Sequence, residues 1–317
     1  MSTLPSATAS RGPATPSAHG SRRGFVLVVV AALCWGTSGL SGSVVADRGG
    51  LSALEIAWYR LSIGAVALLA AWAATARRRG PAVAVTRPVA VRLVLIGAGL
   101  AAYQLAYFTA VELAGVSIAT LVALGLAPLL IAVGGTALGA GRPERATLAA
   151  LGAALVGLTL LVGVSAGADT GTTVLLGALV ATGSALGYAV VTLAGGSVPA
   201  GVPVTLAGFA GGALLLTPVV LARGLSVPSD GVALAVLLYL GLVPSALAYG
   251  LFFTGVRTVP GAVASIVTLL EPLTATLLAV LLLGERLEPA AVAGGGLLLA
   301  AVAGLYLREL RRGRAGG

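Results

Sequence analysis

Along the chain, apolar runs of about twenty residues alternate with short stretches carrying arginine, proline or glycine. Read between those breaks, the runs cover 25–46, 54–74, 93–110, 116–139 and 147–164, then 173–193, 204–221, 232–253, 262–283 and 290–307. A helix of roughly 20 apolar residues crosses the hydrocarbon core of a bilayer. The pattern therefore predicts an all-α membrane protein with ten transmembrane helices and very short connections.

Composition closes off the soluble alternative. Hydrophobic residues make up 58% of the 317 and charged residues only 9%, against about 25% charged in an ordinary soluble domain. Residues 1–24, rich in Ser, Ala and Pro, are expected to form a disordered tail, and residues 308–317 a short basic one. Further apolar runs follow the first, so a cleaved signal peptide is not expected.

The charge balance of +9 comes entirely from 19 arginines. With the amino terminus in the cytoplasm, fifteen of them fall in cytoplasmic segments, while Arg48, Arg223 and Arg286 fall outside. That bias predicts both termini in the cytoplasm. The arginines cluster at span ends, as in Arg77-Arg78-Arg79, without a soluble basic face or an aromatic platform, so nucleic acid is not expected as a partner. Lipid and a small-molecule substrate are.

The two halves echo one another. Phe108-Thr109-Ala110-Val111 matches Phe253-Thr254-Gly255-Val256, and Gly115-Val116-Ser117-Ile118-Ala119 keeps the same register against Pro260-Gly261-Ala262-Val263-Ala264. After a one-residue slip, Pro128 meets Pro272 and Arg142-Pro143-Glu144 meets Arg286-Leu287-Glu288. The expected domains are thus two five-helix repeats, 25–164 and 173–307. An odd number of spans per repeat makes them inverted with respect to each other.

Within the spans, Glu271 is the outstanding group, because an ionisable side chain in mid-membrane costs about 2.5–3.5 kcal/mol on insertion scales. Pro272 lacks an N–H, which is expected to free the carbonyl of Thr268 one turn earlier and make a polar locus. This reads as a substrate or proton site, or as a helix-packing carboxyl. Pro128 and Pro244 are expected to free the carbonyls of Leu124 and Leu240 in the same way. Tyr103, Gln104 and Tyr107 in span three, Trp35 and Ser38 in span one, Tyr188 in span six and Tyr249 in span eight could line a largely neutral, aromatic cavity; any single one also reads as packing or an interfacial anchor. Arg60 lies about 9 Å from the outer end of span two. Snorkelling to the interface explains it; pairing with Glu55 or orienting an anionic substrate group are the alternatives. The small-xxx-small pairs Gly135/Gly139, Gly183/Gly187 and Gly208/Gly212 read as helix packing.

Other chemistries find no support. Cys34 is the single cysteine and His19 the single histidine, and no phosphate-cradling loop, nucleophile elbow or HExxH pair occurs, so neither catalysis nor a cofactor is expected. A lipid-headgroup enzyme would need larger polar loops, while a channel or a non-transporting membrane subunit shares this hydropathy pattern.

Ala32-Leu33-Cys34-Trp35-Gly36-Thr37, Trp58-Tyr59-Arg60, and Leu270-Glu271-Pro272 followed by Leu283-Gly284-Glu285-Arg286-Leu287 resemble the EamA-like transporters of the drug/metabolite transporter superfamily. The resemblance spans residues 25 to 307. The first repeat departs from it, since Leu126-Ala127-Pro128 lacks the glutamate. It implies ten helices in two repeats and an inner-membrane carrier, often an exporter of amino acids or other metabolites, with a central cavity and alternating access.

Overall fold

The structure, a computed structural model, describes residues 18–75, 83–162, 171–283 and 289–315. The expected tail up to residue 17, the Arg77-Arg78-Arg79 cluster, the last residues of the fifth predicted span and the Gly284-Glu285-Arg286-Leu287 turn lie outside them. Helices α1 (Ala18–Gly36) and α2 (Ser38–Gly49) are followed by α3 (Ala53–Ala74), α4 (Arg87–Ala137), α5 (Arg145–Val162), α6 (Thr172–Gly196) and α7 (Val204–Arg223). Then come α8 (Gly231–Gly241), a π-helical segment (Leu242–Leu247), α9 (Ala248–Gly255), α10 (Gly261–Val267), α11 (Leu270–Leu283) and α12 (Pro289–Ala315). Among the described residues there is no strand.

Among the described residues, nine helical stretches are long and apolar enough to cross a membrane, and Arg145–Leu161 forms a shorter apolar helix. Together they occupy the ten predicted spans. Their outer faces carry Val66, Leu129, Val133, Leu179, Leu214 and Leu281, all exposed, and such faces are tolerable only against lipid.

Five features of the predicted elements change. The first helix begins at Ala18, ahead of the apolar run, so residues 18–24 are helical rather than part of a disordered tail, and α12 continues past residue 307. The first predicted span divides at Thr37, whose hydroxyl bonds back to the Cys34 carbonyl at 2.7 Å. The ninth divides at Thr268. The third and fourth share one helical assignment, α4, yet Tyr107 Oη and Thr120 Oγ1 are 2.8 Å apart, although thirteen residues of straight helix cover about 20 Å.

Helix α4 therefore turns back on itself, and α6 records the turn. Gly177 lies against Ala114 and Gly187 against Gly99 and Tyr103, whereas Gly134 lies against Leu193. Following α6 upward in number, contacts with the first arm descend and contacts with the second ascend. The arms, Arg87–Val111 and Ile118–Ala137, are the two separate spans.

Close approach through small residues holds the helices together, as expected where lipid removes the apolar driving force. Gly208 meets Ile96 and Leu100, Gly212 meets the Gly97 carbonyl, and Gly157 meets the Gly294 carbonyl between α5 and α12. Not every small-xxx-small pair contributes. Gly183 touches nothing, and Gly139 sits at φ 86° in a turn after α4, so one member of each of those pairs has no packing role.

Polar contacts gather at the two ends. At one, Glu55 accepts from the Ser52 N–H at 2.8 Å and hydroxyl at 2.7 Å and from the Ser226 N–H at 2.7 Å, Tyr59 donates to the Ser226 carbonyl at 2.7 Å, and Arg48 pairs with Asp230 at 3.1 Å. At the other, Arg308 pairs with Glu144 at 2.9 Å and Arg92 donates to the Ser197 carbonyl at 2.8 Å. Phe25 and Tyr306, 5.2 Å apart between ring centres, bring the start of α1 and the end of α12 to the same face.

Candidate functional site

Between these ends an aromatic cluster fills the interior. Trp35, on α1, is 4.8 Å from Tyr249 and 5.2 Å from Phe252 on α9, and 6.4 Å from Tyr188 on α6. Tyr188 reaches Tyr103 on the first arm of α4 at 5.6 Å. Four of the residues singled out by sequence thus form one continuous surface, and Phe252, which was not singled out, completes it.

The break between α10 and α11 sets the polar edge of that surface. Pro272 cannot donate to the carbonyl of Thr268, as expected, but the carbonyl is not left open. The chain turns at Thr268 and Leu269, and the Glu271 N–H takes that carbonyl at 2.9 Å. The expected free acceptor is thus a closed turn, and its product is the placement of Glu271 in the first turn of α11. The Thr268 hydroxyl donates to the Ser265 carbonyl at 2.8 Å and receives the Tyr188 hydroxyl at 3.4 Å. Gly36 brings α1 against the Glu271 carbonyl and Thr274, where a larger residue would push the helices apart.

Among the described residues, Trp35 Nε1 on this surface is buried without a protein partner, and so are Ser38 Oγ and Gln104 Oε1 in the first and third spans. Each unmade bond in a buried site costs about 1–3 kcal/mol, so such atoms are sites where a ligand's polar groups gain most. Tyr107 is different. Its hydroxyl is committed to Thr120, and its ring lies beside Phe108 at 5.6 Å, which makes it a brace for the fold-back of α4.

Arg60 departs from the expectation. It does not snorkel, and Glu55 is engaged elsewhere by Ser52 and Ser226. Its side chain is 9% exposed and its Nε donates to Ser245 Oγ at 3.3 Å. The cause lies in the eighth span: Pro244 cannot donate to the Leu240 carbonyl, the helix widens into the π-helical segment, and the Ser245 hydroxyl donates to that carbonyl at 2.7 Å. The Arg60 charge acts on Glu271 and on the hydroxyls of Tyr103, Tyr107 and Tyr249, so cation, carboxylate and aromatic groups face one interior.

The sequence carried a signal for this. Ala57 and Gly64, small residues three before and four after Arg60, share its helix face and are buried, which marks that face as packed against helices rather than lipid.

A separate cleft of about 450 Å³ opens toward the Arg308–Glu144 end, bounded by Leu68 and Trp72 of α3, Val204 of α7, and Phe253 and Arg257 at the end of α9. Phe253 is its wall toward the interior, 6.2 Å from Tyr249.

The EamA-like transporter family matches the chain twice, over residues 22–163 and 172–307. The chain is 31% identical over 281 residues to the uncharacterized transporter YwfM of Bacillus subtilis, covering 86% of this chain and 90% of that one. It is 26% identical over 299 residues to the uncharacterized inner membrane transporter YicL of Salmonella typhimurium, covering 93% and 98%. A solved crystal structure shares the fold with a TM-score of 0.75 at 24% identity, over 93% of this chain and 99% of that one. Helices of membrane-spanning length, an interior polar site in place of a soluble active-site loop, and a family match over both halves agree: the chain belongs to the EamA-like transporter family and is a multi-pass membrane transporter.

Proposed function

We propose that the protein is a secondary active carrier of small metabolites, such as amino acids, related compounds or drugs, exporting them across the plasma membrane by alternating access around the interior bounded by Trp35, Tyr103, Tyr188, Tyr249 and Glu271. One observation carries the reading: the α10–α11 break sets an ionisable group near an aromatic wall whose Trp35 indole N–H lacks a partner among the described residues. Ser38, Gln104 and Thr268 supply further polar contacts to the cargo, and Tyr107 acts through the bend it braces.

The two family matches support a reading of residues 25–164 and 173–307 as repeated halves. Exchanged pairings do too: α1 lies against α9 through Gly24 and Gly255, and α6 lies against the first arm of α4 through Gly187 and Gly99. An inverted relation of five-helix halves accounts for such cross-matching. With the arginine-rich Arg308 end in the cytoplasm, both termini are cytoplasmic, the cleft beside Arg257 faces inward, and the contacts of Glu55 with Ser226 and of Arg48 with Asp230 close the outer face.

Glu271 also serves as the proton-coupling group. In proteoliposomes carrying an imposed pH gradient, Glu271→Gln abolishes the pH dependence of flux while the protein stays folded. Unchanged flux and unchanged pH dependence in that variant would exclude the proton role.

A further inference from the structure

We propose that Arg60 is the receptor for a carboxylate on the transported molecule, an assignment that rests on the carrier reading above and narrows its cargo to small monocarboxylates, including amino acids.

Arg60 carries one protein hydrogen bond, from Nε to Ser245. Among the described residues neither Nη group has a protein acceptor and no carboxylate lies within ion-pair distance of the side chain. A buried cation without an ion-pair partner is among the costlier arrangements a membrane protein can hold, and here a proline, a π-helical segment and a serine keep it in place.

Ser245 holds Nε and leaves both Nη groups without a protein acceptor among the described residues. Two parallel N–H donors in one plane match the two oxygens of a carboxylate. Glu271 acts on Arg60 across the same space without bonding to it, so the interior has a positive and a negative side. A carboxylate on the Arg60 side is welcome there, a second negative charge on the same cargo is opposed by Glu271, and an ammonium group on it is favoured.

The test uses the purified full chain in detergent and four probes sharing one branched hydrocarbon body: leucine, 4-methylpentanoate, 3-methylbutylamine and 4-methylpentanamide. Binding is read as the concentration dependence of the rise in thermal midpoint. Leucine and 4-methylpentanoate stabilise the wild type, and the amine and amide do not. In Arg60→Gln both carboxylates bind at least about thirtyfold more weakly, and in Ser245→Ala about fivefold more weakly. Failure of both carboxylates to stabilise the wild type overturns the assignment, as does wild-type affinity in Arg60→Gln. If Arg60→Gln does not fold, Ser245→Ala decides, and unchanged carboxylate affinity there overturns it. Flux in proteoliposomes is read separately: transport with Arg60-independent binding removes this inference alone, while carboxylate binding with no flux removes the carrier reading.

Discussion

Single side chains set the limits of this molecule where charge meets lipid. Asp230 caps α8 through the Ala233 N–H at 2.8 Å and pairs with Arg48. That backbone bond first, and the Arg48 charge after it, hold its carboxyl below the ordinary carboxylate range. A group whose folded value is lowered contributes stability above its unfolded value, about 3.9 for aspartate, and loses it as pH falls through the folded value. The difference in thermal midpoint between wild type and Asp230→Ala is therefore flat from about pH 8 to about pH 5 and narrows only below about pH 4. A difference that changes between neutral pH and about pH 5 would contradict this placement of the carboxyl.

Residue types were the most legible part of the site. Trp35, Tyr103, Tyr188 and Tyr249 stood out because polar-tipped aromatics are sparse in these apolar spans, and they converge on one surface. Arg60 was misplaced because distance from a span end says nothing of which face a side chain takes; the buried stripe of Ala57 and Gly64 does. Tyr107 was legible as polar in a span, but its partner Thr120 lies across a reversal that local pattern does not reveal.

At the scale of elements, three interruptions place the chemistry. Thr37 divides the first span, Pro244 widens the eighth, and the turn at Thr268 divides the ninth. The prolines of the last two were visible in the sequence, but their consequences were not, since a freed carbonyl can remain open, take a side-chain donor as Leu240 does from Ser245, or close a tighter turn as Thr268 does with Glu271. A proline in a helix interior costs about 3 kcal/mol, so Pro244→Ala is expected to fold with an unchanged or higher thermal midpoint. Restoring the N–H returns the Leu240 carbonyl to the backbone, releases Ser245, and loosens Arg60. Transport then falls about tenfold, the equivalent of about 1.4 kcal/mol. Wild-type transport in a well-folded Pro244→Ala would show that the π-helical segment has no part in positioning.

At the scale of the whole molecule, ten spans followed from apolar length alone, because a bilayer demands roughly twenty apolar residues per crossing whatever their order. Packing detail was less accessible. Glycine is so frequent that its spacing does not distinguish Gly187, pressed against the backbone of α4, from Gly183, which touches nothing. Contacts between the α2–α3 region and the loop before α8 lie at one end of the bundle and the cleft beside Arg257 at the other. On the proposed carrier reading, a cleft on one side only is what one half-cycle of alternating access requires.

The most direct test is counterflow in proteoliposomes loaded with a mixed pool of unlabelled amino acids and metabolites, with uptake of the labelled counterparts compared between wild type and Glu271→Gln. The account predicts saturable exchange by the wild type, at least about tenfold slower in the variant. Absence of exchange for every pool, or equal exchange in both proteins, would contradict it.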